Sequence, residues 1–437
     1  MKKRKIGISF NYRSCDAFAE YLHEQSLRGW HFKEFRLGMV FEQGDPADID
    51  YTVEVFPNGT EMDTRPEAST EEYAEYCEAA GWKLIDSSRK FCVFRRTRED
   101  AAPIVEPAER FANIRKAEWL LWLSGAVPVF LLTAIYLAQL FTLNFNRWIF
   151  SNLMLLVLLF MSLSSLERIT EGILLLHWSV TRDRMLKEGT VPIYGKRSLW
   201  PFKTALFPIL FLIAAIFLSY YQKEYSPLYV IPILTLIPLL IVTALISFLR
   251  PSRNDNWIYQ MAAGICIFFY LTVILTAVVL GAASGSETAS DHVKDFPLVQ
   301  ADYRQMDGMI ISGNADRMKS VLGSASHFYV TYDTEASETS STYSEDTSDN
   351  LQYTIYQSPH SWILDRLWKD EMPRQKDLPE DRTREWGAVS AVRRINGSNI
   401  YCELIRYTDR IWIISSDERL EDDQVRVIHE KLEHVSY

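Results

Sequence analysis

The chain has 437 residues, of which 48% are hydrophobic, and a formal net charge of −10. An acidic balance is unfavourable for contacts with phosphate backbones, so we expect no nucleic-acid partner. The apolar residues concentrate between positions 119 and 282 and leave a polar region on each side.

Residues 1–100 contain an internal repeat. Each copy has an amphipathic helical segment, a Gly-Trp pair and two strand-like runs. The two pairs are Gly29-Trp30 and Gly81-Trp82. Glycine at the C′ position ends a helix, and the aromatic residue after it opens a strand. With further strands at 6–10 and 51–56, we expect an α+β domain of two helix-strand-strand repeats, forming a small antiparallel sheet with both helices on one side.

Trp30 and Trp82 are the candidate site residues of this domain. In one interpretation they are structural, because the glycine supplies a positive φ and the tryptophan fills the space between helix and sheet. In the alternative interpretation, either ring contacts a ligand or a partner protein.

The repeated order of helix, Gly-Trp, strand, turn and Phe-rich strand, followed by apolar helices, resembles the bacterial membrane proteins known as domain of unknown function 2812. The residues that carry the resemblance are Gly29-Trp30 with Tyr51, and Gly81-Trp82 with Phe94. The family lends no activity and no catalytic residues. The resemblance implies a bacterial plasma membrane. Through the genomic company of small PadR-like transcription regulators in Firmicutes-type bacteria, it also implies a regulatory role.

A linker at 101–118 leads to a block of five apolar runs. Each is about 19–26 residues long, enough at ~1.5 Å per residue to cross a hydrocarbon core of ~30 Å. The predicted membrane spans are 119–143, 148–166, 202–221, 228–249 and 257–282. They contain almost no ionisable side chains, which argues against a proton- or cation-coupled transporter.

Basic residues lie in alternate connections between these runs. They concentrate before the first, between the second and third, and between the fourth and fifth, whereas the other two connections hold only Arg147 and Lys223. Positive charge marks the cytoplasmic side of a membrane protein. We therefore expect a multi-pass plasma-membrane protein with a cytoplasmic N-terminus and an extracellular C-terminus.

A second linker at 283–300 precedes an α+β domain at 301–437, which we expect outside the cytoplasm. Hairpin signals between its last runs favour an antiparallel sheet with helices on one face. The predicted helices are 314–322, 360–369 and 418–433, and the predicted strands are 327–332, 351–357, 388–395, 400–407 and 411–415.

Two features narrow the class of this outer domain. Cys402 is its single cysteine, which excludes a receptor built on intramolecular disulfides. The insert 333–350 is rich in Ser, Thr, Asp and Glu and should be a disordered loop. It lacks the central glycine that a calcium-binding loop needs.

The main catalytic signatures do not occur in the sequence. There is no Gly-rich phosphate loop, no His-Glu-x-x-His, no Cys-x-x-Cys pair and no Gly-x-Ser-x-Gly elbow. His429 and His434 lie five apart on a predicted helix, which is the wrong spacing for a shared metal face. We therefore expect no catalytic, cofactor-binding or metal-binding residues.

These patterns favour a non-enzymatic membrane protein with a regulatory or sensory role. The outer domain would bind an extracytoplasmic ligand, and the inner domain would bind a cytoplasmic protein. The alternative is an accessory subunit of a membrane transport or export complex. A third hypothesis, an enzyme acting on lipid or envelope substrates, has no residue set in its favour. The lipid bilayer is a partner in each case.

Overall fold

The computed structural model describes residues 2–7, 10–36, 38–56, 68–142, 145–195, 257–265, 296–304, 309–333, 348–372, 379–395 and 400–435, with isolated positions between 210 and 255. The chain divides into two compact units. The first comprises Met1–Ala134 and Phe160–Val279, and the second comprises Ile135–Leu159 and Leu280–Tyr437.

The N-terminal part of the first unit forms two three-stranded antiparallel sheets, each with one helix. Its elements are β1 Lys3–Ile6, α1 Cys15–Leu27, β2 Trp30–Phe35, β3 Met39–Gln43, β4 Tyr51–Val55, α2 Ala68–Ala79, β5 Trp82–Ser88 and β6 Phe91–Arg96. The strand orders are β1-β3-β2 and β4-β6-β5. The prediction of one sheet is wrong, because the strand before each helix pairs with the last strand of its own hairpin.

A shared core packs α1 against both sheets, with Phe18, Leu22, Phe41 and Val93 buried. The same core includes Ile114, Ala117 and Tyr194, which come from beyond residue 100. The N-terminal domain therefore extends past the boundary expected from the sequence, and part of the expected linker is buried in it.

Two long helices follow, joined by a short one. They are α3 Pro107–Thr142, α4 Phe145–Ile149 and α5 Asn152–Lys187. Both long helices have the length and apolar composition needed to cross a membrane. At ~1.5 Å per residue each measures about 54 Å, so each extends well beyond a hydrocarbon core of ~30 Å.

The apolar side chains of these helices are mostly exposed; Leu131 is 60% exposed and Ile173 is 62% exposed. The core helix of a soluble protein would bury such residues. Exposure along two helices of this length favours association with a membrane.

Within the first unit, α3 and α5 pack against each other through small and polar groups. Trp122 Nε1 donates a hydrogen bond to the carbonyl of Arg168 over 2.9 Å. The hydroxyls of Thr133 and Ser165 lie 2.9 Å apart. A Cβ at Gly172 would approach the Trp122 ring to 2.7 Å, so glycine permits this close contact. Small residues and hydroxyl contacts of this kind are typical of paired membrane helices.

The five-span transmembrane block expected from the sequence is wrong as a description of this fold. Among the described residues, two helices qualify as candidate spans. The run 148–166 was predicted as one span, but Trp148–Phe150 are apolar because they are buried in a protein core, and α5 continues to Lys187. The predicted spans 202–221 and 228–249, apart from scattered positions, and most of 257–282 lie outside the described residues.

The second unit contains a seven-stranded antiparallel sheet of order β10-β11-β12-β13-β9-β8-β7. Its elements are β7 Met309–Ser320, β8 Gly323–Asp333, β9 Ser348–Gln357, α6 Ser361–Glu371, β10 Glu380–Asp381, α7 Thr383–Trp386, β11 Ser390–Ile395, β12 Tyr401–Arg406, β13 Arg410–Ser416 and α8 Asp422–Glu433. Tyr353 and Trp412 on one face pack with Ile428 of α8. Tyr356 and Ile411 on the other face pack with Leu364 of α6.

The sheet differs from the sequence-based expectation in three respects. Helices cover both faces rather than one. The segment 314–322, predicted as a helix, lies mostly in β7, which pairs with β8 along its whole length. Residues 348–350 of the predicted loop belong to β9, while 334–347 lie outside the described residues.

Candidate functional site

Buried charges of the first unit meet where the N-terminal domain contacts α3. We call this cluster the Arg110 junction. It is formed by Cys15, Asp16, Glu54, Arg110 and Tyr194. The helix α1, the strand β4, the first turns of α3 and the segment after α5 each contribute to it.

Arg110 is the centre of the junction. Its Nη1 lies 2.8 Å from Asp16 Oδ1, and its Nε lies 2.9 Å from Glu54 Oε2. Its Nη2 donates to the carbonyl of Val53 over 3.2 Å. The guanidinium carbon lies 5.5 Å from the ring centroid of Tyr194. A planar guanidinium with several donors suits a site where partners arrive from several directions.

The charged groups of the junction stabilise one another's ionised state. Burial raises the pKa of Glu54, whose side chain is 6% exposed, and Arg110 opposes that shift. Burial alone would lower the pKa of Arg110, but the charges of Glu54, Cys15 and Asp16 outweigh it and hold that pKa above its ordinary value. Arg110 therefore stays protonated, and one cation serves two carboxylates.

Cys15 is the potential nucleophile of this cluster, and its environment suppresses reactivity. Its thiol is fully buried, and burial raises its pKa to about 12 despite the contact with Arg110. A thiol with such a pKa is not a thiolate at neutral pH, and the thiolate is the reactive form. The arrangement is suited to holding elements together rather than to transferring protons or groups.

Tyr194 fastens the segment after α5 to the beginning of α1. Its carbonyl accepts hydrogen bonds from the backbone N–H groups of Asp16 and Ala17 over 3.1 and 3.3 Å. Its own N–H donates to Asp16 Oδ2 over 2.7 Å. The first N–H groups of a helix have no partner within the helix, so Tyr194 satisfies two of them.

A second ion pair, in which the carboxylate is buried and the arginine is partly exposed, supports the same contact. Arg13 Nε lies 3.0 Å from Glu118 Oε2, and the Arg13 N–H donates to Glu118 Oε1 over 3.0 Å. The Arg13 guanidinium also lies 5.8 Å from the ring centroid of Trp178 on α5. The start of α1 is thereby tied to both long helices.

The structure places the two sequence-predicted site residues on different sheets. Trp82 opens β5, is 9% exposed, and donates from Nε1 to the carbonyl of Ala102 over 2.7 Å. Trp30 opens β2 and is half-buried, with Arg4 stacked 5.9 Å from its ring centroid. Gly29 preceding it has φ +76°. Of the two rings, Trp30 has more surface available for a ligand or partner.

One group of described side chains has metal-ligand types close together, namely His23, Asp48 and Asp50. His23 Nδ1 lies 2.9 Å from the carbonyl of Ile49, and Asp50 Oδ2 lies 3.0 Å from Arg96 Nη1. Both carboxylates are exposed. These protein partners account for the grouping, so it carries no argument for a metal.

In the second unit, the connection between the two long helices is buried against the sheet. We call residues 145–150 the hairpin tip. Phe150 is fully buried and stacks on Tyr356 with ring centroids 5.8 Å apart. Ser320 Oγ donates to the carbonyl of Ile149 over 2.6 Å. Gly323 has φ +151°, and a Cβ there would approach the Phe150 ring to 2.9 Å. The tip therefore fits into a socket formed by Ser320, Gly323 and Tyr356, in which the lack of a Cβ at Gly323 leaves room for the Phe150 ring.

A buried ion pair also lies on the opposite face of this sheet. Arg393 Nε lies 2.5 Å from Glu403 Oε1, and Arg393 Nη2 donates to the carbonyl of Leu420 over 2.6 Å. Trp386 Nε1 donates to Glu403 Oε2 over 3.2 Å. The pair links β11 and β12 to the chain before α8. Each buried charge is tolerated because it has an oppositely charged partner and further hydrogen bonds.

Sequence reasoning missed the Arg110 junction. Arg110 counted only as a positive charge flanking an apolar run, although it is bound on several sides. The available signal was Glu54, a carboxylate placed between Val53 and Val55 in a strand-like run. A charge in such a position needs a cation when the strand is buried.

Comparison with protein families gives one match. Residues 15–123 match the family described as "Protein of unknown function (DUF2812)". Residues 15–123 are therefore a region of the DUF2812 family. The matched region extends from α1 into α3 and so includes Arg110 and Glu118 as well as every strand of the two sheets except β1. Neither curated proteins nor solved structures give a match.

Proposed function

We propose that the protein is a non-enzymatic plasma-membrane protein with a regulatory or sensory role. In this proposal the hairpin of α3 and α5 couples an extracytoplasmic domain, the seven-stranded sheet, to the cytoplasmic N-terminal domain. The observation that carries it is the continuity of α3. Its first turns hold the Arg110 junction, and its last turn leads into the hairpin tip in the sheet socket.

The orientation rests on charge. Apart from Arg168, which pairs with Glu171, the basic residues of α3 and α5 lie at the base of the hairpin, whereas the tip carries only Arg147. The basic residues of the base are Arg110, Arg115, Lys116, Arg182, Arg184 and Lys187. Because basic residues flanking membrane helices concentrate on the cytoplasmic side, this distribution favours a cytoplasmic location for the base of the hairpin. Because the tip is buried in the second unit, the sheet follows the tip to the outer side.

Cysteine labelling in intact cells tests this orientation. The four described cysteines are buried, so a Cys266→Ser background should give little labelling by a membrane-impermeant maleimide. Val389 is 61% exposed and Tyr76 is 75% exposed. We expect Val389→Cys to react in intact cells and Tyr76→Cys to react only after permeabilisation. Reaction of Tyr76→Cys in intact cells would contradict the orientation.

The non-enzymatic character is supported by the chemistry of the buried groups. Arg110 is held protonated, Cys15 is held as a thiol, and Glu403 is fixed by Arg393 and Trp386. Side chains fixed in this way contribute to position and stability, whereas general acid-base catalysis needs a group with a pKa near the working pH.

Complementation of a deletion strain tests the regulatory role. A chain lacking the sheet, or one with Phe150→Ala, should fail to restore the wild-type phenotype, whereas Leu159→Ala on the exposed face of α5 should restore it. Expression and membrane insertion of each variant are checked by immunoblot. If a single His→Ala substitution abolished function in a folded, inserted protein, the enzyme hypothesis would replace this proposal.

A further inference from the structure

The helix α6 has two distinct faces. Ile363, Leu364 and Leu367 are buried against the sheet and the hairpin tip. Trp362 and Lys369 are exposed, and Arg366 is partly exposed. The spacing of 362, 366 and 369 places these three side chains on one side of the helix.

This exposed face lies beside the ends of the membrane helices. Arg366 Nη2 donates to the carbonyl of Phe141, in the last turn of α3, over 2.9 Å. The Trp362 ring centroid lies 6.3 Å from that of Phe145 in the tip. On the neighbouring turn, the Val321 N–H donates to Asn152 Oδ1 at the start of α5 over 2.9 Å. If α3 and α5 cross a bilayer, all three contacts lie at the level where the helices leave it.

We propose that Trp362, Arg366, Lys369 and Val321 form a membrane-resting surface, which seats the sheet on the lipid headgroups around the hairpin. This inference rests on the proposed membrane hairpin and adds a contact between the folded domain and the bilayer. The occupant is the lipid surface itself, because the face adjoins the points where both helices end.

The chemistry of the four residues fits a bilayer interface. Trp362 is 54% exposed and Val321 is 80% exposed, so both present apolar surface that can enter a bilayer interface. Tryptophan prefers the headgroup level, and long basic side chains lie along apolar surface with their charge in water.

The net negative charge of the second unit favours an apolar contact with lipid over an electrostatic one. Residues 282–437 carry 17 basic and 28 acidic groups, so the domain as a whole would be repelled by an anionic membrane. Asp370 neutralises Arg366 over 3.0 Å, and Asp365 pairs with Arg406. The contact is therefore expected to depend on the apolar insertion of Trp362 and Val321 rather than on anionic lipid.

Depth-dependent fluorescence quenching tests the surface in the full-length protein. Four variants each add one exposed cysteine to a Cys266→Ser background in which the four described cysteines are buried, namely Trp362→Cys, Val321→Cys, Leu163→Cys and Tyr329→Cys. Each variant carries an NBD label at the added cysteine and is reconstituted into phosphatidylcholine vesicles. The quenchers are two lipids used in parallel, one with a spin label near the headgroup and one with a spin label deep in the acyl chain. Leu163 is an exposed residue of α5 and reports insertion of the hairpin. Tyr329 is the matched control, because it is exposed but lies ~20 Å further along β8 than Gly323.

We expect the headgroup quencher to cause a large loss of fluorescence at 362 and 321 and the acyl-chain quencher to cause a large loss at 163, because 163 lies about 16 Å along α5 from Asn152. Neither quencher should cause much loss at 329. Quenching at 163 without quenching at 362 and 321 would overturn the membrane-resting surface while leaving the hairpin in the bilayer. Equal quenching at 329 and 362 would also overturn it. Absence of quenching at 163 would overturn the membrane hairpin and, with it, this inference.

Discussion

Replacing Arg110 by methionine removes the cation of the junction while keeping much of its aliphatic stem. Glu54, 6% exposed, and Asp16, 29% exposed, then lose their 2.9 Å and 2.8 Å ion pairs. Leaving a buried charge without its partner costs about 3–5 kcal/mol. Because each 1.4 kcal/mol is about a tenfold change, we expect backbone amides of α1 and β4 to exchange roughly 10²–10⁴-fold faster.

Hydrogen exchange of the full-length protein in lipid nanodiscs measures this change. Arg115→Met is the matched control, because Arg115 is an exposed arginine on the same helix and its loss should change exchange little. Adding Glu54→Gln to Arg110→Met should recover part of the protection, since it removes the unpaired buried charge. Unchanged exchange in Arg110→Met, or a Glu54→Gln effect that simply adds to it, would refute the reasoning.

Three further predictions concern stability. Burial raises the pKa of Cys15 from its ordinary 9.0 to about 12, so in this pH range the folded state keeps a proton that the unfolded chain loses. The free energy of unfolding, measured by denaturation at a series of pH values, should therefore fall between pH 9 and 12, and it should fall less steeply in Cys15→Ala. Trp82→Ala should cost about 3–5 kcal/mol in the same assay, and Trp30→Ala should cost less because its ring is half-buried; equal costs would contradict this. Gly323→Ala should lower the melting temperature more than Gly387→Ala, since a Cβ at 387 meets open space.

The elements that local pattern predicts well are those where pattern and packing agree. The Gly81 that ends the second repeat helix has φ +93°, as the helix-ending role requires. The strands 351–357 and 411–415 alternate in sequence and lie next to each other in the sheet.

Local pattern fails where a partner decides the structure. Residues 314–322 have helix-compatible composition, yet Asp316 and Arg317 pair with β8 in an edge strand. The tip residue Phe150 resembles a membrane residue by composition, but it fills a socket beside Tyr356. Apolar composition indicates that a residue avoids water, but it does not show whether the residue lies in lipid or in the core of a protein.

The candidate site could not be assembled from the sequence, because its members are far apart in the chain. Arg110 and Glu54 are separated by 56 residues, and Tyr194 lies beyond α5. Long-range pairing of this kind follows from the fold, and a single sequence gives no indication of which carboxylate a given arginine will meet.

The central claim is that the hairpin couples the sheet socket to the Arg110 junction. The most direct measurement is hydrogen exchange of α1 and β4 in nanodiscs after Phe150→Ala, which empties part of the socket. Leu159→Ala, at an exposed position of α5, is the control. The coupling account predicts faster exchange in α1 and β4 for Phe150→Ala alone. Faster exchange confined to the tip and the sheet, with α1 and β4 unchanged, would contradict it.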